Sequence, residues 1–398
     1  MQSLIDLVVD ANYWGANGTP HEALRELRNR EPVARYDGQQ VDPFWLLTRH
    51  DDIESVSKNP ALWSSVPRTI LATRRGAGNR LRSMVHMDPP DHTRHRAIVQ
   101  NWLTPRTVRQ LENRMREVSK ELVDRMAESQ SCDFVQTVSS VQPVRLLCEL
   151  LGLRGDQEAE VQRLAKLLFA GNDSELSGVM SPEDNMKQIM LFCEDLMVAR
   201  QQKPSSDLAS FIVNSKIADQ PLDRFEALSN LAVILTAGHD TTASAMSGTL
   251  LALIQNPDEL QRLQTDRSLM PTAIEEFVRW VTPTTNFVRT ATAEAELRGV
   301  RIMKGEDICL HYSSANRDES IFEDPYTFRI DRRPNKHFGF GTGTHSCVGQ
   351  ILARLEMRTL FEELIPRLES IELEGDPKYI QAYWISGLKR LPVRYCLK

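Results

Sequence analysis

Apolar residues recur at three- and four-residue spacing along most of this chain. The spacing predicts helices over 22–30, 91–127, 138–170, 182–202, 223–265, 268–280 and 347–366. Ser181-Pro182-Glu183-Asp184 places a capping residue, a proline and then acids at one predicted start, and Asn256-Pro257-Asp258-Glu259 repeats that order. Strand-like stretches are short. Residues 32–36 and 44–48 flank Asp37-Gly38, and residues 297–302 and Asp307–His311 flank Lys304-Gly305. No internal repeat or low-complexity linker divides the chain. The pattern predicts a fold that is mainly α with a small β part, built as one domain over residues 1–398.

Composition narrows the function classes. The chain is 41% hydrophobic and 26% charged, as in an ordinary globular protein able to enclose a ligand. A net charge of −6 argues against nucleic acid as a partner. Cys132, Cys148, Cys193, Cys309, Cys347 and Cys396 are scattered without a CxxC pair. That excludes a disulfide framework or a zinc site of the usual spacing and suits a reducing compartment. The apolar run near the N-terminus is too short and too acidic for a signal peptide or membrane anchor, so the expected location is cytoplasmic.

The chemistry concentrates in the run Phe340-Gly341-Thr342-Gly343-Thr344-His345-Ser346-Cys347-Val348-Gly349. It sets one thiol in a glycine-rich turn just before an apolar helical stretch, where small residues permit close approach by a flat, bulky ligand. A phosphate cradle is the other reading of clustered glycines, but no Gly-Lys-Ser/Thr follows. The run resembles the Phe-Gly-x-Gly-x-His-x-Cys-x-Gly haem-binding loop of cytochrome P450 enzymes. The resemblance implies a P450-like fold and haem b as cofactor. It makes Cys347 the axial iron ligand and Phe340, Gly341 and Gly349 parts of the loop that carries it. Such a thiolate donates electron density to iron and favours O–O cleavage.

Three further segments are similar to the same family. Gly238-His239-Asp240-Thr241-Thr242 interrupts an apolar helical run, where an Asp-Thr pair after glycine is locally unfavourable. By the resemblance, Asp240 and Thr241 are the acid–alcohol pair that supplies protons to the reaction. Glu276-x-x-Arg279 would alone be an ordinary i, i+3 surface pair. The family pattern makes it a buried structural pair, with Arg332 as third member. His92, Arg96, Arg289 and His337 match positions that bond the two haem propionates.

A basic cluster at Arg106, Arg109, Arg114 and Arg116, with Arg354 and Arg358 beyond the thiol, is by itself a solvated face. In the family these segments border the surface where a ferredoxin docks. The implied electron source is a separate ferredoxin with an NAD(P)H-dependent reductase. Substrate-facing positions carried over from the family include Val233, Ala237, Asn286, Phe287, Trp384 and Ile385. Their apolar character points to a hydrophobic small molecule, terpenoid- or steroid-like, that is hydroxylated or epoxidised. Residues 74–82 read as an exposed basic tip in the segment before them. Two alternatives stay open at this point: a peroxide-driven haem peroxygenase and a non-catalytic haem sensor.

Overall fold

The computed structural model describes residues 3–72, 81–169, 173–177 and 181–398. Helices dominate and follow the apolar periodicity, but the long predicted runs break where local chemistry dictates. The 91–127 run divides into Asp91–Trp102 and Pro105–Ala127. Leu103 ends the first, and Thr104 caps the second by accepting the Thr107 N–H, with Pro105 at the first helical position. The 138–170 run divides into Val141–Leu151 and Glu158–Phe169, because Gly152 takes a left-handed conformation after Leu151. Ser181 caps Pro182–Gln202 as expected, accepting the Asp184 N–H at 3.1 Å. Asn256 does not cap Pro257–Thr265. Its amide donates back to the Ala252 carbonyl at 2.8 Å.

The 223–265 run becomes three helices, Arg224–Ala237, Asp240–Gln255 and Pro257–Thr265. Short helices at Leu4–Val9, Ala11–Asn17, His50–Ser57 and Leu208–Val213 escaped the periodicity, since one or two turns carry too few apolar positions to register.

A five-stranded sheet runs in the spatial order Val33–Tyr36, Phe44–Leu47, Asp307–His311, Asn286–Ala291, Trp63–Ser64. The first pair forms the predicted hairpin, with Tyr36 opposite Phe44. Residues 297–302 are not one strand. They turn at Arg298-Gly299, both at positive φ, so that Leu297 pairs with Val300. Residues 74–80 of the basic tip lie outside the described residues, whereas Arg82 is paired with Glu226 at 2.7 Å.

The core that positions the site packs Pro105–Ala127, Asp240–Gln255, Met270–Val281 and Gln350–Leu364 against one another. Its polar bolt is the predicted triad. Glu276 and Arg279 are fully buried and form two hydrogen bonds of 2.7 Å, and Arg332 reaches Glu276 at 3.1 Å. Arg279 then donates to the carbonyls of Asn316 and Pro325, tying the Met270–Val281 helix to the irregular chain before the thiol loop.

Candidate active site

The thiol loop is shaped by its glycines. Gly341 and Gly343 take φ of 65° and 69°, which side-chain-bearing residues rarely adopt. A Cβ on Gly343 would stand 2.1 Å from the Ser57 carbonyl oxygen. The Cys347 N–H donates to the Phe340 carbonyl at 2.8 Å, closing the loop just before Gln350–Leu364 begins. The sulfur is accessible, yet it lies within the protein. Burial pushes its pKa up, while the Gly349 N–H and the positive Arg96 and Arg354 pull it back.

Beside the loop stands a cluster of cations and imidazoles. His92 and Arg96 project from one face of Asp91–Trp102, and Arg96 donates to the Ser346 carbonyl at 2.6 Å. Arg289 comes from the strand Asn286–Ala291, and its one hydrogen bond among the described residues goes to the Val288 carbonyl. The imidazole that joins them is His345. Its ring centre lies 4.2 Å from that of His92. Burial, reinforced by repulsion from Arg289 and His92, holds His345 down at about 2, so it is a neutral donor. The buried Nδ1 of His92 has no hydrogen-bond partner.

His337, expected in this cluster, is instead engaged below the loop. Its Nε2 meets Glu275 at 3.1 Å, and its Nδ1 accepts the Gly339 N–H. Arg354 binds the same carboxylate at 2.6 and 2.9 Å and lies over the Phe340 ring at 4.2 Å. Burial would raise Glu275, but hydrogen bonds from Arg354 and His337 outweigh it and hold the carboxyl at about 2. Both nitrogens of His337 are thus used in bracing the loop. His345 was the missed position, although it stands inside the motif itself.

The helix opening is the third part. Arg224–Ala237 ends and Asp240–Gln255 begins on the same run, with Gly238 and His239 between them. Ala237 and Gly238 are exposed, while Leu235, Thr236 and residues 242–247 are buried. The Thr241 hydroxyl donates to the Ala237 carbonyl at 2.9 Å, taking up an acceptor that the break leaves unpaired.

A family model for cytochrome P450 matches residues 160–397. The chain belongs to the cytochrome P450 family. Cytochrome P450-terp of Pseudomonas sp is 33% identical to it over 94% of this chain and 93% of its own. Linalool 8-monooxygenase of Pseudomonas putida is also 33% identical, over 94% of this chain and 95% of its own. The crystal structure of CYP108D1 from Novosphingobium aromaticivorans matches with a TM-score of 0.89 and 31% identity, covering 99% of this chain and 98% of that one. This P450 is accordingly a monooxygenase whose cofactor is haem b. Among the described residues, no helix is long and apolar enough to cross a membrane.

The residues fit that cofactor. An accessible thiol stands in a loop kept thin by glycines, and a Cβ on Gly349 would lie 3.9 Å from the sulfur. The neighbouring cluster offers donors without a bonded carboxylate of its own, including the orphaned nitrogen of His92, which suits two propionates.

Of the carried-over substrate positions, the P450 places Ala237 at the helix opening and Phe287 half-buried on the strand face shared with Arg289. Asn286 faces the other way. It is fully buried and donates to Thr285 and the Tyr383 carbonyl, so its amide braces the C-terminal turn, while its buried Oδ1 has no hydrogen-bond partner. Trp384 and Ile385 pack into the apolar cluster around Trp14 and Val288, and Val233 packs into that around Leu196.

Proposed function

We propose that this P450 inserts oxygen into a hydrophobic, terpenoid-like small molecule with electrons delivered by a separate ferredoxin and its NAD(P)H-dependent reductase. The observation that carries the substrate class is the exposed Ala237-Gly238 step between the buried residues Leu235 and Thr236 and the buried residues 242–247. It leaves a small, apolar wall with no charged group, and Phe287 supplies an aromatic one. The relative named linalool 8-monooxygenase supports the same class.

Haem, when bound, supplies reductive activation of O₂ and insertion of one oxygen atom into C–H or C=C. The chain supplies what surrounds that chemistry. Cys347 would hold the iron, while His92, Arg96, Arg289 and His345 would hold the propionates by charge-assisted and neutral hydrogen bonds. Asp240 and Thr241 hold protons at the opening, with the Thr241 hydroxyl directed by the Ala237 carbonyl.

The ferredoxin reading draws on Arg106 and Arg109. Both are exposed, with no carboxylate partner among the described residues. They sit near the start of Pro105–Ala127, which packs on the helix that follows Cys347. Arg114 and Arg116 are unsuited to that role. Arg114 is tied to Glu117 and Glu149, and Arg116 to Glu112 and Glu362.

The test is a spectral binding screen of monoterpenoids, steroids and fatty acids, followed by product analysis with a reconstituted ferredoxin chain. Displacement of water from iron and oxidised product are expected from the monoterpenoids. Turnover of fatty acids or steroids alone would overturn the substrate class.

A further inference from the structure

His239 takes no part in the chemistry described so far, yet its side chain is completely buried at the helix opening. Its Nε2 lies 3.0 Å from the Ser140 carbonyl oxygen. A carbonyl only accepts, so Nε2 carries a hydrogen. The other nitrogen, Nδ1, lies 2.7 Å from Oδ1 of Asp240. A neutral ring with its hydrogen on Nε2 would aim a lone pair at a carboxylate oxygen at that separation. Two acceptors do not approach so closely unless one carries a proton, and an imidazolium gives the pair opposite charges. The buried Nδ1 has no aligned hydrogen-bond partner, so the contact with Asp240 is ionic. The buried Oδ2 of Asp240 has no hydrogen-bond partner, which leaves that carboxylate dependent on His239 for its stabilisation.

We propose that His239 is a positioning residue that stores, as an imidazolium, the proton that Asp240 delivers to the site. The proposal rests on the reading of Asp240 and Thr241 as the proton-supplying pair. In the step, the Asp240 carboxylate turns so that Oδ1 meets the Nδ1–H axis, the N–H bond at Nδ1 breaks and an O–H bond forms at Oδ1 of Asp240. The ring is left neutral, with its Nε2 hydrogen still on the Ser140 carbonyl. Asp240 passes one proton on through Thr241, and one proton from solvent restores the imidazolium. No electrons move in this exchange. The Ser140 anchor keeps the ring from turning as its charge changes, so the same nitrogen faces Asp240 in both states.

The first test reads the proton directly. In the diamagnetic ferrous, carbon-monoxide-bound holoprotein with ¹⁵N-labelled histidine, the His239 signals are assigned by their loss in His239→Gln. Protonated-nitrogen shifts at both ring positions are expected at neutral pH. Asp240→Asn should return Nδ1 to an unprotonated shift, because the anion that holds the charge is gone. An unprotonated Nδ1 in the parent protein would overturn the proposal.

The second test compares turnover. Glutamine can still donate to the Ser140 carbonyl but stores no proton. His239→Gln should keep the thiolate carbon-monoxide spectrum and substrate affinity, yet lose about tenfold in kcat, below the ~10²–10⁴-fold of a full general acid. Its solvent isotope effect should rise towards that of Asp240→Asn. If Asp240→Asn is slow and His239→Gln matches the parent in rate and isotope effect, His239 stores nothing and the proposal fails. If Asp240→Asn and Thr241→Ala both leave rate and peroxide release unchanged, the acid–alcohol reading itself has failed.

Discussion

Glu276 and Arg279 face each other through two hydrogen bonds of 2.7 Å with neither side chain reaching solvent. At an i, i+3 spacing on an exposed helix, such a pair stabilises by a few tenths of a kcal/mol. Here the remaining donors and acceptors are also used, by Arg332, Asn335, the Arg329 N–H and three carbonyls. Removing one partner strands a buried charge. Arg279→Ala should therefore destabilise by about 3–5 kcal/mol and lower haem retention. Urea denaturation of the holoprotein, with the carbon-monoxide spectrum as a measure of intact thiolate, checks both effects.

The two histidines of the thiol segment should separate experimentally. His345→Ala removes a neutral donor from the His92–Arg96–Arg289 cluster and should speed haem loss to an acceptor globin. His337→Ala removes a brace on Glu275 that Arg354 still holds, so haem loss should stay near the parent rate. Equal acceleration in both variants would place His337 among the propionate donors after all.

Charge at the start of Pro105–Ala127 should govern reduction by the partner. Arg109→Glu should slow the first-electron transfer from ferredoxin at low salt and flatten its dependence on ionic strength. Arg114→Glu should act mainly on stability, because its guanidinium already serves Glu117 and Glu149. Stopped-flow reduction across a salt series distinguishes them, and an unaltered salt dependence in Arg109→Glu would reduce that arginine to a solvated side chain.

Acid should weaken the fold through His311. Burial and the nearby Arg28 hold this imidazole down at about 3, and its buried Nε2 lacks a partner. The folded state keeps it neutral, whereas the unfolded chain takes up a proton below the ordinary value of about 6.5. Stability is thus full above pH 6.5 and falls as the pH drops towards 3. At pH 5 the loss from this group is about 2 kcal/mol, from ~1.36 kcal/mol per pH unit. Urea midpoints at pH 7 and 5 for the parent and His311→Asn give the measurement. The variant should show the shallower decline.

Much of this architecture is legible in the sequence because its strongest signals are local. The thiol loop, the Glu276–Arg279 spacing and the Asp240-Thr241 interruption each sit within ten residues, and each is found where expected. Asn286 shows a signal available but misread. Side chains alternate along a strand, so counting back from Arg289 selects Phe287 and excludes Asn286. His337 and His345 are harder. Which ring reaches His92 depends on the positive-φ turn at Gly343, and a backbone turn of that kind redirects a side chain without changing any spacing. The neutralised arginines were half legible: Glu112 and Glu117 lie on the same helix, but Glu149 and Glu362 arrive from other elements.

The 4.2 Å approach of His92 and His345 also bears on the order in which the protein matures. Some two hundred and fifty residues of chain separate them. Closing a loop of that length must precede any contact between the two rings, and long-range closures of this kind belong to the slow part of folding. During synthesis, the arm that contributes His92 and Arg96 emerges long before the loop that contributes Cys347. Cofactor capture is therefore a late event in the life of each molecule.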